Sequence, residues 1–313
     1  MIWHLQGNRY SACNGFCLQD FEGGPHSDIV VECGHIITIT PSLSELKTIE
    51  RITVSAEKIY LCDGAFANLK NVREIILNGR IEQDKWVFDF SNCNVNRSLF
   101  QNSTQLRYIR ASFCGACIMP YAFSGCESLV ALPDLRVREL GLKSFKGCRS
   151  LKEVHLHNGL ENLGVRAFED CSSLEDIYIP DTVNFLGVAT FSGCISLKRI
   201  HLPDRTTRIP DRLFYNCRSL EKCFLPDGIR RIDAHAFDGC ESLRNPWIPK
   251  ELKEIGDGAF ANCTSITEIM IPETVEKIGE GAFDGCPQLR IKGFRDSVAE
   301  RYARENNIPF IVL

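Results

Sequence analysis

Apolar positions in this chain recur in a fixed frame. The segment Ala167-Phe168-x-x-Cys171-x-x-Leu174 returns with Phe at 123, 145, 191, 214, 237, 260 and 283, and from Phe123 onward the spacing is 22 and then 23 six times over. Inside one unit Leu174, Ile177 and Ile179 are apolar, and the last two alternate at period 2 before Pro180, which predicts a short strand stopped by a residue without a ladder donor. Val183 and Leu186-Gly187 follow, then the next Ala-Phe. A unit with one short strand cannot bury its apolar face alone, so neighbouring units must stack and share a core. The pattern predicts a parallel-stranded solenoid.

Upstream the frame decays. Phe100…Ser103…Leu106 lies one period before Phe123, and Phe66…Leu69…Val72 lies 34 residues further back, one period plus 11. A weak unit, Leu43…Leu46…Ile49, precedes it. The predicted organisation is an N-terminal cap over 1–42 with strand-like runs Ile29–Val31 and Ile36–Ile39, then a solenoid over 43–290. The solenoid is irregular over 43–121, with an insertion around 78–95, and regular over 122–290. A C-terminal cap over 291–313 completes it. In that cap Ser297-Val-Ala-Glu300 reads as a capping box opening a helix to about Asn306, with Ile308, Phe310 and Val312 covering the last repeat.

The frame Leu-x-x-Ile-x-Leu-Pro, then Val-x-x-Ile-Gly-x-x-Ala-Phe-x-x-Cys-x-x-Leu, resembles the BspA-like branch of the leucine-rich repeats, most specifically over 122–290. The tail from Gly293 through Ser297, Tyr302 and Phe310 is similar to a C-terminal cap found in such proteins. The resemblance implies a right-handed arc of about ten repeats whose strands line one face, used to bind proteins or adhere to surfaces, with no catalysis.

Composition narrows the function further. Net charge is -4, from 36 Lys+Arg and 40 Asp+Glu without a block of like charges, so there is no footprint for nucleic acid. The longest apolar runs are a few residues, far short of the roughly 20 that a membrane helix needs, so membrane insertion is not expected. No nucleophile elbow, phosphate loop, dinucleotide fingerprint or His-Glu-x-x-His motif occurs, and the chain is read as non-enzymatic with no cofactor. Eight of the 16 cysteines share one repeat position, stacked at about one strand spacing of 4.8 Å. Parallel equivalent side chains in such a stack do not face one another as a disulfide requires, so these are read as buried free thiols. Cys114-Gly-Ala-Cys117 is a weak metal candidate, with Cys13, Cys17, Cys33 and His35 as further donors that nothing brings alongside. The sequons at Asn96, Asn102 and Asn262 are read as coincidence. The absence of a secretory leader and the thiols favour the cytoplasm, whereas the family resemblance implies a secreted or surface protein.

If Ile177 and Ile179 point inward, Asp176 and Tyr178 point out. At the position of Tyr178 successive units carry Ile76, Arg110, Pro133, His155, Tyr178, His201, Phe224, Trp247 and Met270; at that of Asp176 they carry Glu74, Tyr108, Ala131, Glu153, Asp176, Arg199, Lys222, Asn245 and Glu268. The expected partner-binding residues are Arg110, His155, Tyr178, His201, Phe224, Trp247 and Met270, flanked by Asp176, Arg199, Lys222 and Glu268. A row of aromatic side chains left uncovered is costly for solubility, which points to a protein or peptide ligand docking there. Burial of the row in a homo-oligomer, or stacking of the rings on carbohydrate, are the alternatives, and cross-strand stacking alone accounts for part of the pattern. Pro246 falls at an inward strand position and removes a ladder donor. Either the strand persists and Trp247 projects outward, or it breaks and Trp247 packs sideways.

Overall fold

Each repeat supplies strand residues too few to be stable singly, and the fold answers by stacking equivalent segments in parallel register. A computed structural model describes residues 2–6, 28–39, 49–61, 63–83, 94–95, 97–132 and 134–313. The chain is a parallel-stranded β-solenoid of about ten turns, with a helix near the C-terminus, and it divides into two compact units, Met1–Leu151 and Lys152–Leu313.

In the first unit the strands are β1 (Ile2–Gln6), β2 (Asp28–Ile39), β3 (Arg51–Leu61), β4 (Glu74–Gln83), β5 (Asn94–Val95), β6 (Tyr108–Arg110), β7 (Ser112–Ile118) and β8 (Asp134–Leu140). One parallel sheet runs β1-β2-β3-β4-β6, and β5, β7 and β8 are neighbours in a second. The runs Ile29–Val31 and Ile36–Ile39 both fall on β2, which pairs in register with β3 (Ile29 with Ile52, Val31 with Val54), so the segment set apart as a cap continues the sheet that follows. Register slips midway along both β2/β3 and β3/β4, and at the second slip a Cβ on Gly79 would stand 2.1 Å from the Ala56 carbonyl oxygen, which is why glycine occupies it. Of the expected insertion around 78–95, residues 78–83 continue β4 and 94–95 form β5; residues 84–93 and most of the weak unit at 43–49 lie outside the described residues.

The second unit is more regular. Outward-facing strands β9 (Glu153–His155), β11 (Asp176–Tyr178), β13 (Arg199–His201) and β15 (Lys222–Phe224) form one sheet with buried centres Val154, Ile177, Ile200 and Cys223. A second column of two-residue strands appears as well: β10 (Asn162–Leu163), β12 (Phe185–Leu186), β14 (Arg208–Ile209), β16 (Arg231–Ile232), β17 (Glu254–Ile255) and β19 (Lys277–Ile278). The repeat therefore carries two strands where its period-2 signal predicted one. After β18 (Glu268–Met270) and β20 (Arg290–Gly293) come helix α1 (Val298–Glu305) and β21 (Phe310–Val312), which pairs in parallel with β20.

The core is built from the repeated Phe. Phe66, Phe100, Phe123 and Phe145 stack in the first unit, and Phe168, Phe191, Phe214, Phe237, Phe260 and Phe283 in the second, with centroid separations from 4.7 to 6.0 Å. Nearly all are wholly buried, worth about 1.5–3 kcal/mol each in apolar transfer. Within each unit the turns also hand the Phe N–H to the next: Phe100 N donates to Ala122 O at 2.7 Å, Phe214 N to Ala236 O at 2.8 Å and Phe237 N to Ala259 O at 2.8 Å. The cysteine column points the other way. Cys240 Sγ donates to Phe214 O at 3.2 Å and Cys263 Sγ to Phe237 O at 3.1 Å, so each thiol ties its turn to the one before. In the degenerate unit Ser103 makes the same bond to Phe66 O at 2.7 Å, the interchange that the sequence implied. All nine cysteines with described side chains are free thiols.

The last turn has no following carbonyl, and α1 supplies a substitute. Tyr302 packs edge-on against Phe283 at 5.8 Å, and its Oη accepts from Phe283 N at 3.3 Å. Ser297 caps the helix by accepting from Glu300 N, as the capping-box reading predicts, while the Glu300 carboxylate reaches one residue further to Asp296 N. Phe310 lies over Gly293, but Val312 is exposed, so the expected covering role rests on Phe310 and the paired backbone of β21.

Candidate interaction face

On β9, β11, β13 and β15 the register aligns His155, Tyr178, His201 and Phe224 in one row. All four are exposed because the alternate residue of each strand is committed to the core. Tyr178 and His201 stack with centroids 4.7 Å apart and planes 2° from parallel, so the two rings form one flat surface. Phe224, next in the row, is 74% exposed and is the most uncovered large apolar side chain among the described residues.

The row changes character after Phe224. No strand forms at Asn245–Pro249 among the described residues: Pro246 is buried at the inward position and removes its ladder donor. Asn245 spans the gap, its side-chain oxygen accepting from Thr267 N, Thr267 Oγ1 and Glu268 N at 3.1–3.2 Å. Trp247 is nonetheless 52% exposed rather than packed away, and Met270 on β18 is half-buried beside Lys292. Arg110 lies in the first unit on β6, exposed and paired with Glu74 at 2.9 Å. Pro133 lies outside the described residues.

The flanking charges largely satisfy one another. Arg199 donates to both Asp176 oxygens at 2.9 and 3.0 Å, holding the Asp176 carboxyl below its ordinary range and the guanidinium above its own. Lys198 and Glu175 pair at 2.9 Å with the same effect, and Lys292 meets Glu268 at 2.7 Å. Lys222, beside the exposed Phe224, has no carboxylate partner among the described residues. A feature that sequence reading missed is the approach of His201 Nε2 to Asp181 Oδ1 at 3.9 Å, with Asp204 close by. Both carboxylates follow the proline that ends a strand, and only the stacking of turns brings residues some 20 positions apart together.

The other cysteine expectation cannot be placed. Cys114 and Cys117 lie on β7 and Cys33 and His35 on β2, but their side chains, like Cys13 and Cys17 altogether, fall outside the described residues. No helix among the described residues is long and apolar enough to cross a membrane.

Comparison with known proteins agrees with the repeat geometry. The model of the BspA type leucine rich repeat region matches six copies over residues 38–112, 93–220 and 164–290. Among solved structures the chain is similar to a leucine-rich repeat protein from Bacteroides ovatus, with TM-score 0.71 and 23% identity over 92% of this chain and 84% of that one. It is also similar to a leucine-rich repeat protein from Eubacterium ventriosum, with TM-score 0.50 and 21% identity over 83% and 82% of the two chains. No curated protein matches the sequence.

Proposed function

The chain belongs to the BspA-type leucine-rich repeat family, whose repeats generally serve protein interaction or adhesion rather than catalysis, and from that premise we propose that its second unit binds a protein or peptide along the face of β9, β11, β13 and β15. The observation that carries the reading is the row Tyr178, His201 and Phe224, an outward surface of rings whose most exposed member, Phe224, is 74% uncovered. Covering such a patch returns free energy at about 25 cal/mol per Å² of apolar area, and aromatic anchors are the usual source of binding energy in an interface.

Charge placement refines the partner. The Asp176–Arg199 pair is already neutralised and offers little attraction, whereas Lys222, on the same strand as Phe224, has no carboxylate partner among the described residues. The complementary segment has an apolar or aromatic side chain for Phe224 with a carboxylate alongside for Lys222. Arg110, His155, Trp247, Met270 and Glu268 remain proposed contributors to binding within their own units.

The test is capture of a protein partner by the intact chain and by the Phe224→Ala/Trp247→Ala double variant. The variant should lose capture while its thermal midpoint stays within about 3 °C, because both side chains are more than half exposed in the free protein. Unchanged capture would sink the proposal. Light-scattering mass and a glycan screen on the same pair of proteins separate the alternatives: a dimer that the double variant dissolves assigns the row to self-assembly, and glycan binding that it abolishes assigns the row to carbohydrate.

A further inference from the structure

We propose that His201, Asp181 and Asp204 form a divalent-cation site at the edge of the β11/β13 face, selective for a first-row transition metal. One nitrogen and two carboxylate donors, from residues that are all exposed, have ligand atoms within 4.8 Å of one another. A common ion about 2.0–2.2 Å from each donor requires donors about 3–3.5 Å apart, a closure that small rotations of exposed side chains supply. An imidazole beside two carboxylates suits Zn²⁺, Co²⁺ or Mn²⁺ better than the all-oxygen preference of Ca²⁺.

Three observations single out this place. First, the imidazole is held in position: its ring lies flat on Tyr178 at 4.7 Å while Nε2 stands 3.9 Å from Asp181 Oδ1. Second, the carboxylates stack like on like. Asp181 Oδ1 accepts from Asp204 N at 3.1 Å, which ties the two turns together, yet neither carboxylate has a Lys or Arg partner among the described residues. On the same face Glu175 and Asp176 each have one, as does Glu268 on β18, whereas Glu153 on β9 meets only His155, at 3.9 Å. Third, the combination is confined to one turn of the repeat. The position of Asp181 is occupied in successive units by Asn158, Asp181, Asp204, Asp227, Lys250 and Glu273, and the position of His201 by His155, Tyr178, His201, Phe224, Trp247 and Met270. Of the two outward imidazoles in this row, His155 and His201, only His201 has a carboxylate at the post-proline position on its own turn; His155 has Asn158 there and meets Glu153 of its own strand at 3.9 Å. A repeat that merely tolerated acidic residues after its proline would not need to place the nitrogen there.

Three donors gathered on one side leave the remaining coordination positions open to water or to a carboxylate brought by another molecule. The inference stands on side chains that the interaction reading did not use together, and its outcome is separate from partner capture.

The experiment is titration of the intact, reduced chain with Co²⁺, followed by visible absorption and by competition with Zn²⁺. The expected result is saturation at one ion per chain with ligand-field bands of nitrogen and oxygen coordination and no thiolate-to-cobalt charge transfer. His201→Ala, Asp181→Asn and Asp204→Asn should each weaken binding by about tenfold or more, with thermal midpoints unchanged. Absence of saturable binding, unaltered affinity in any one of the three variants, or thiolate charge transfer would each overturn the assignment.

Discussion

The cysteine column makes a quantitative prediction about alkaline pH. Cys126, Cys194, Cys217, Cys223, Cys240 and Cys263 are fully or almost fully buried, and desolvation raises every one of these thiols above the ordinary value near 9, Cys126 and Cys223 to about 12. A raised folded pKa means that the native state keeps its protons while the unfolded chain releases them, so the thiols' contribution is fully present below about pH 9 and is lost as pH climbs. At pH 10 an unfolded thiol of pKa near 9 gains about 1.4 kcal/mol by ionising, and six of them amount to about 8 kcal/mol. That is comparable with the whole stability of an ordinary domain, about 5–15 kcal/mol. Urea unfolding followed by far-ultraviolet circular dichroism, in reductant, should show a midpoint that is flat from pH 7 to 8.5 and then falls steeply. The comparator is the triple variant Cys194→Ser/Cys217→Ser/Cys240→Ser, which the fold admits because Ser103 already makes the same bond in its own turn. Removing three titrating groups should make the alkaline slope shallower by about 4 kcal/mol per pH unit. A midpoint unmoved between pH 8 and 10, or an identical slope in the triple variant, would refute the reasoning.

Tyr302→Phe keeps the ring against Phe283 but removes the acceptor for its N–H; because that bond is long at 3.3 Å the cost should sit near 1 kcal/mol, read as roughly fivefold faster amide exchange at Phe283 with Phe214 unaffected. Phe191→Ala should cost about 3–5 kcal/mol in urea unfolding, whereas Phe224→Ala should change it by less than about 0.5 kcal/mol, a contrast set by full burial against 74% exposure. Gly187→Ala should destabilise more than Gly239→Ala, although only Gly239 is left-handed. A Cβ at 187 meets Val165 N and Gly164 C at 2.4–2.5 Å, which are backbone, while at 239 it meets the movable Asn216 side chain first. Equal thermal midpoints for those two variants would show that the turns have more play than the spacing suggests.

Much of this architecture is legible in the sequence because the repeat states the same thing again and again. Phe, Cys and Leu at fixed spacing mark the core, Pro180 and its equivalents mark strand ends, and Ser297 with Glu300 marks the closing helix. What escaped has physical reasons. Arg208–Ile209 and its counterparts pair as strands, yet two residues cannot display a period of 2. The left-handed residues two before each Phe, such as Arg212 before Phe214, follow no residue type and leave no signal, whereas those two after it, such as Asn216, are Asn, Asp or Gly in every described turn, a signal that a reading built on apolar positions passes over. On the face, the outward row was readable from alternation, but Asp176 and Arg199, set down as partner contacts, spend their charge on each other. Pairing between adjacent turns, like the approach of Asp181 to His201, depends on rotamers that spacing does not specify.

The one-way hand-off of the Phe N–H along the turns has an evolutionary corollary. In the second unit each turn presents the same carbonyl to the turn before it and the same donor to the turn after it, and Tyr302 terminates the series by accepting that donor from Phe283. The terminus therefore does not register how many turns precede it. Duplicating or deleting a 23-residue segment such as Thr190–Arg212 changes the side-chain pairs at its junction but leaves the backbone bond from each Phe the same, so the length of the surface can drift between lineages while its closing end stays as it is.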